Sequence, residues 1–446
     1  MDFIAAKRGG MEETMKKGKK ALALLMATTM TMGLAACGDK NNDDKNSGNN
    51  DNSKPTTSAS DGQKEKVDLK LWVPENQIQP GTIDQMIQSF KDLHPEWDLN
   101  IKVEGQGEDQ CKDAVLRDVS AAADVYFFAT DQLQELVNAG AIARLGGSAE
   151  KLVKETIAES VQATVKAEDG NIYAIPFTHN TFFMYYDKSI FNEDDLTSME
   201  KIMAKQTADN VYNFHFESAG GWKLGCWYYG AGCTIYGESQ NDYAAGANWN
   251  NATGVAVTNY LIDLINNPKC AYDTDINQSE LAGDHRLGAW FGGSWDYNLF
   301  KEALGDDLGM AVIPTFNPDG NDYQLKGFYS AKAIGVNPQS SNPAVAVAFA
   351  EFLGNEENQI KRYKETAQIP TNLNAGNIPE VQADALAKVI VAEANDASIM
   401  QPTNAEFSSR YWTYAGAIAT EIRSGELNKD NVQAKLDSFC NAMKVE

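Results

Sequence analysis

The stretch Asp169–Lys188, DGNIYAIPFTHNTFFMYYDK, decides how the rest of the chain is read. It opens on a turn signal, Asp169-Gly170-Asn171, and continues into a short β-prone run, Ile172 to Ile175, that stops at Pro176. A second run holds Phe182, Phe183, Met184, Tyr185 and Tyr186. Proline has no N–H to give a sheet ladder, so Pro176 belongs at a strand end or edge. Two strands separated by that proline and the tetrapeptide 177–180 read as a chain passing from one packed lobe into another, with polar side chains facing a cleft. On pattern alone, an internal strand pair of one domain is the alternative.

Outward from this stretch the order is regular. Val67 to Pro74 alternates Leu69, Leu71 and Val73 with Asp68 and Lys70, a strand pattern. Thr82 to Leu93 spaces Ile83, Met86, Ile87 and Phe90 as one helix face, and His94-Pro95 breaks it. A strand over Leu99–Val103, a helix over Cys111–Ala121, a strand over Ala123–Phe128 and a helix over Asp131–Ala139 follow. This βαβα order predicts an α/β fold with mainly parallel sheets flanked by helices. In such sheets ligands bind beyond the carboxyl ends of the strands, here Trp72–Glu75 and Phe128–Asp131. The segment 211–249 is dense in aromatics and glycine, and helices are expected over 255–265, 343–353 and 406–425. No internal repeat is evident.

The chain has 446 residues, 43% hydrophobic and 22% charged, enough for two or three domains. Its net charge is −24, and the first 37 residues hold six basic and three acidic groups, so the rest is more acidic still. A phosphate-binding surface needs the opposite sign, which argues against nucleic acid. There is no GxSxG, HExxH, P-loop or GxGxxG pattern, and His94, His179, His215 and His285 lack ligand spacing. No catalytic residue, metal site or cofactor is therefore expected. The cysteines form no CxxC pair; a Cys226–Cys233 bridge is conceivable, against buried free thiols.

At the N-terminus a basic segment from Met15 to Lys20 precedes the apolar run Ala21–Met32, too short to span a bilayer. Leu34-Ala35-Ala36-Cys37 then resembles a lipobox, which implies a signal peptide over 1–37, starting at Met1 or Met15, and a diacylated Cys37. Two acyl chains suffice for stable anchoring. Residues 38–66 are almost devoid of apolar side chains and read as a flexible tether with a reach of roughly 30 Å.

The pattern Gly170-x-x-Tyr173-x-Ile175-Pro176, then a hydrophobic strand ending Tyr185-Tyr186-Asp187-Lys188-x-x-Phe191, resembles the lobe-crossing segment of extracellular solute-binding proteins of ABC sugar importers, above all the maltose/maltodextrin-binding type. Other segments match in the same order, over most of the chain after about residue 66. Leu71-Trp72-Val73 followed by Glu75 and Asn76 resembles the first sugar-contacting loop. Asp124 to Asp131 resembles the "Pro-Asp-Ile-x-Phe-Trp" strand, with Phe128 where the family carries a tryptophan platform. Asn180 stands where it carries an acidic residue. The resemblance further implies Trp222 and Glu217, Trp295 in the Gly-x-Trp turn, and Tyr411 and Trp412 as ligand-facing.

The resemblance implies a two-lobed periplasmic-binding-protein fold of type II. One lobe would be 66–177 plus 325–370, the other 178–324 plus 371–446. It also implies a monomeric lipoprotein on the outer face of the cell membrane, with permease and ATPase chains as partners. The expected ligand is an oligosaccharide, with maltooligosaccharides leading. The alternatives are a non-starch oligosaccharide on the same fold and a carbohydrate-active enzyme.

Overall fold

The computed structural model describes residues 64–217, 221–271 and 276–445. The signal peptide, the lipidation site Cys37 and all but the last residues of the tether lie outside the described residues. The strands are β1 (Glu65–Val73), β2 (Trp97–Gly105), β3 (Val125–Ala129), β4 (Ala174–Asn180), β5 (Phe182–Asp187), β6 (Tyr212–His215), β7 (Cys270–Ala271), β8 (Leu287–Gly293), β9 (Leu308–Ala311), β10 (Thr315–Phe316), β11 (Tyr323–Gln324), β12 (Gly327–Val336) and β13 (Ser398–Met400).

They build two large sheets, one for each lobe of a two-lobed α/β protein. The first runs β13-β12-β3-β1-β2, with β4 also on β12; the second runs β7-β6-β8-β5-β9. Within the first, β1 is parallel to β2 and β3; within the second, β6 is parallel to β7 and β8. With β12 also parallel to β13, the first sheet is mainly parallel and the second divides evenly, and every antiparallel pairing in them involves β5 or β12. Those are the strands at which the chain changes sheet, so they enter against the direction that βαβ crossovers impose on the rest.

The cores divide accordingly. One gathers the inward residues of β1 and β3 with Ile175 and Phe177 of β4 and Ala331, Ala333 and Ile334 of β12. The other gathers Phe182, Met184 and Tyr186 of β5, Phe328 of β12 and much of the chain after Ala397. Phe183 and Tyr185 point to the opposite face of β5, against Trp290, Phe300 and the helix Ala385–Asp396. This alternation covers β5 with side chains on both faces. The helix Thr82–Leu93 buries Ile83, Met86, Ile87 and Phe90, the stripe its spacing predicts.

Two local expectations change. Pro176 does not end its strand: β4 runs through it to Asn180. It is tolerated because Pro176 faces Ala333 of β12, where the register shifts between Lys332 and Ala333. The helix expected to Ala121 stops at Arg117, because the Asp118 carboxylate accepts from the Ser120 and Ala121 amides and draws the backbone into a turn. The five described cysteines, Cys226 and Cys233 among them, are free and buried.

A buried acid sits under the second sheet. Glu393 is fully buried; Oε2 accepts from the Ile313 amide at 3.0 Å, and Oε1 has no partner among the described residues. Burial holds its carboxyl well above the usual range. The folded protein therefore keeps a proton that the unfolded chain has released. Stability from this group is full below about pH 4.5 and falls as pH rises toward the folded value, by up to about 1.4 kcal/mol per pH unit. Glu393→Gln retains the acceptor for Ile313 and should flatten that slope. Urea unfolding at about pH 5 and about pH 8 checks this; identical slopes for both proteins would refute it.

Candidate ligand-binding cleft

A cavity of about 660 Å³ opens where the carboxyl ends of the strands converge, a volume in the range of small-molecule sites. Its wall takes Pro74 and Asn76 after β1, Gly107 to Asp109 with Lys112 and Asp113 after β2, and Ala129, Asp131 and Gln132 at the end of β3. Asn180 ends β4 and Lys332 lies on β12. From the other side come Trp295 after β8, Gln401 after β13, Trp222, and Ser408 and Trp412 of the helix Ala405–Ser424. Strand direction thus places side chains more than 300 residues apart in sequence around one opening.

The apolar part is three half-buried indoles. Trp222 and Trp295 lie 5.7 Å apart between ring centres, and Trp222 Nε1 donates to Gln401 Oε1 at 3.1 Å. Trp295 packs so closely on the backbone of Gly293 that a Cβ there would overlap the ring; only glycine fits. Trp412 rests edge-on against Phe328, Phe407 and Tyr411.

The polar part is tied together. Gln132 accepts the Lys112 amide at 2.7 Å and donates to the Glu108 and Asp109 carbonyls at 2.8 and 3.0 Å, locking the loop after β2 to the end of β3. Lys332 Nζ donates to Glu108 Oε2 at 2.6 Å and stands 4.9 Å from the Trp295 ring centre. Asn180 Nδ2 donates to Ser330 Oγ at 3.0 Å. Burial, only partly offset by Lys112, pushes the Asp131 carboxyl up to about 7, so near neutral pH it can donate as well as accept. His179 bonds the Tyr329 hydroxyl at 2.7 Å, and burial lowers it to about 4, leaving a neutral structural imidazole.

Of the residues expected at the site, the structure brings together Asn76, Asp131, Asn180, Trp222, Trp295 and Trp412. Four do not reach the wall. Phe128 is fully buried and meets Tyr126 edge-on, because its strand parity sends it into the core and leaves Ala129 to line the cavity. Tyr411 is fully buried, its hydroxyl donating to the Gly221 carbonyl at 3.0 Å; one helix position, about 100° of rotation, separates it from Trp412. Glu75 is exposed and packs beside Gly105, and Glu217 lies within electrostatic reach of Lys223. Glu108, Lys332, Gln132 and Gln401 were not foreseen. Lys332 did leave a sign, as one basic residue inside the apolar run GFYSAKAIGV.

A family description reading bacterial extracellular solute-binding protein matches residues 85–389. The maltodextrin-binding protein MdxE of Bacillus subtilis (strain 168) is 26% identical over 449 residues, covering 96% of this chain and 97% of that protein. The galactooligosaccharide-binding protein of the same organism is 24% identical over 436 residues, covering 92% and 94%. A chain solved with acarbose is 37% identical, with a TM-score of 0.80, covering 85% of this chain and 99% of that one. With strand ends from both sheets facing one cleft and the family match spanning most of the described residues, the chain belongs to the bacterial extracellular solute-binding proteins.

Proposed function

We propose that this protein is the substrate-binding lipoprotein of an ABC importer, capturing oligosaccharides, α-1,4-glucans first, in the cleft between its sheets. The observation that carries the reading is the cavity wall itself: three indoles from one side and carboxylate, amide and ammonium groups from the other. A pyranose has an apolar C–H face and a rim of hydroxyls. Stacking that face on a flat ring removes apolar area from water, worth roughly 1–2 kcal/mol per ring. A hydroxyl buried without a partner costs roughly 1–3 kcal/mol, so the polar groups supply selection. The relatives named for maltodextrin and for galactooligosaccharide support the ligand class.

In this reading the lobes are 66–177 plus 325–370 and 178–324 plus 371–446, closing about the crossing strands as hinge-type receptors do. The protein acts as a monomer held to the outer face of the cell membrane through Cys37, and delivers its ligand to permease and ATPase chains. Among the described residues no helix is long and apolar enough to cross a membrane. In this reading it performs no catalysis, in keeping with the relatives named as binding proteins.

Calorimetry with maltose, maltotriose, xylo- and galacto-oligosaccharides, followed by product analysis, tests this. Stoichiometric heat with maltotriose and no cleavage products is expected. Heat only with a galactooligosaccharide would move the ligand to the second relative's class. Turnover would make the protein a carbohydrate-active enzyme.

A further inference from the structure

Gln401 stands just past β13, where its backbone N–H donates to the Tyr329 carbonyl of β12 at 2.8 Å and continues the ladder between the two strands. Its side chain lines the cavity beside Trp222. There Oε1 accepts from Trp222 Nε1 at 3.1 Å. The same indole meets Phe182 edge-on at 5.0 Å and Trp295 at 5.7 Å between ring centres. Two rings and one amide thus hold Trp222 in place.

An indole N–H donates and never accepts. The Gln401 amide therefore turns its oxygen to Trp222 and its NH2 group away, so the ring fixes the polarity that the glutamine offers. Gln132, elsewhere on the wall, spends Nε2 on two backbone carbonyls. Gln401 Nε2 donates to none of the described residues, and it is not among the unpartnered polar atoms sealed in their interior. Both its N–H groups stay available to the cavity that the residue lines. A near-linear bond from Nε1 puts the amide at the rim of the indole, close to the ring plane, rather than over its face. A pyranose stacked on that face carries its equatorial oxygens out over such a rim.

We infer that Gln401 is a specificity-determining residue: it pins the Trp222 indole through Oε1 and gives Nε2 to one equatorial oxygen of the sugar stacked there. This rests on the oligosaccharide reading above and adds which group reads the sugar at Trp222 and with what polarity. The sugar must bring an acceptor to that rim. A glycan deoxygenated at that position leaves Nε2 unpaired beneath it and is rejected.

The test is calorimetry of wild type, Gln401→Met and Gln401→Glu against the preferred trisaccharide and its monodeoxy analogues. The Trp222 indole N–H resonance of each free protein, assigned through Trp222→Phe, is recorded by NMR alongside. In wild type, one deoxy position should cost about tenfold or more in affinity. Gln401→Met removes both bonds: the indole resonance should move upfield, the parent sugar should bind about tenfold weaker, and the penalty at that one position should nearly vanish. Gln401→Glu keeps an oxygen on the indole but puts a second acceptor where the donor stood. Its indole resonance should stay near that of wild type, while the parent sugar still binds about tenfold weaker. If Gln401 only props Trp222, the glutamate variant binds every analogue as wild type does, and the methionine variant weakens all of them by one common factor; either result overturns the inference. Should the methionine variant fail to fold, the glutamate variant decides. If wild type binds no oligosaccharide of the panel, the parent reading falls and this one with it. Wild-type binding with one deoxy profile shared by all three proteins sinks this inference alone.

Discussion

Replacing Trp295 with alanine is expected to weaken oligosaccharide binding about tenfold or more while moving the melting temperature of the free protein by only a few degrees. The two effects separate because of where the ring sits. It is half-buried on a turn after β8, resting on the Gly293 backbone, with Trp222 and Lys332 as neighbours, and lies outside the main cores. Its loss removes one tilted aromatic contact and one cation–π contact, each worth on the order of 1 kcal/mol at such a site. In the bound state it also removes the platform, roughly 1–2 kcal/mol of apolar contact, and leaves the neighbouring polar groups wetter. Titration calorimetry and thermal melting of both proteins measure the pair of quantities. Equal affinity for mutant and parent would remove Trp295 from the site.

The largest effect on stability is expected at Gln359. This side chain is fully buried, and every hydrogen-bonding position of its amide is used. Nε2 donates to the carbonyls of Pro176 at 3.1 Å and Gly354 at 2.8 Å; Oε1 accepts from the amides of Thr371 and Asn372, both at 2.9 Å. One glutamine on the helix Glu356–Thr366 thus clamps β4 to the segment 369–372, another passage beside the change of sheet. Thr178 Oγ1 adds a tie between them, donating to the Ile369 carbonyl at 2.9 Å, beside the bridge of Thr178 with Pro370. Gln359→Leu keeps the volume and strands two carbonyls and two amides away from water. With about 1–3 kcal/mol for each group left unpaired, and some relaxation, a loss of about 3–5 kcal/mol is expected. Urea unfolding measures it, and a change within about 0.5 kcal/mol would show that the clamp carries no weight.

These predictions differ in how far the sequence could lead to them. Trp295 was legible through the resemblance, which puts the Gly-x-Trp turn after a strand beside the ligand. Gln359 was not, since a glutamine on a polar helix face looks like any solvated side chain until three distant segments close around it. Phe128 and Tyr411 mark the same limit from the other direction. Both are aromatic, both adjoin a cavity residue, and strand parity or helix phase turned them inward. Residue type records that a ring is wanted nearby; it does not record which neighbour holds it.

Local pattern, then, settled what local physics controls. Alternating and helical spacings set the βαβα order, the turn at Asp169-Gly170-Asn171 and the two hydrophobic runs set the passage between sheets, and the strand ends marked where a ligand would lie. Pairings across long separations came only with the tertiary structure: Lys332 with Glu108, 224 residues apart, and Gln359 with Pro176, 183 apart. The physical reason is that each such pair depends on two independent backbone placements. Neither segment alone carries a preference strong enough to name the other.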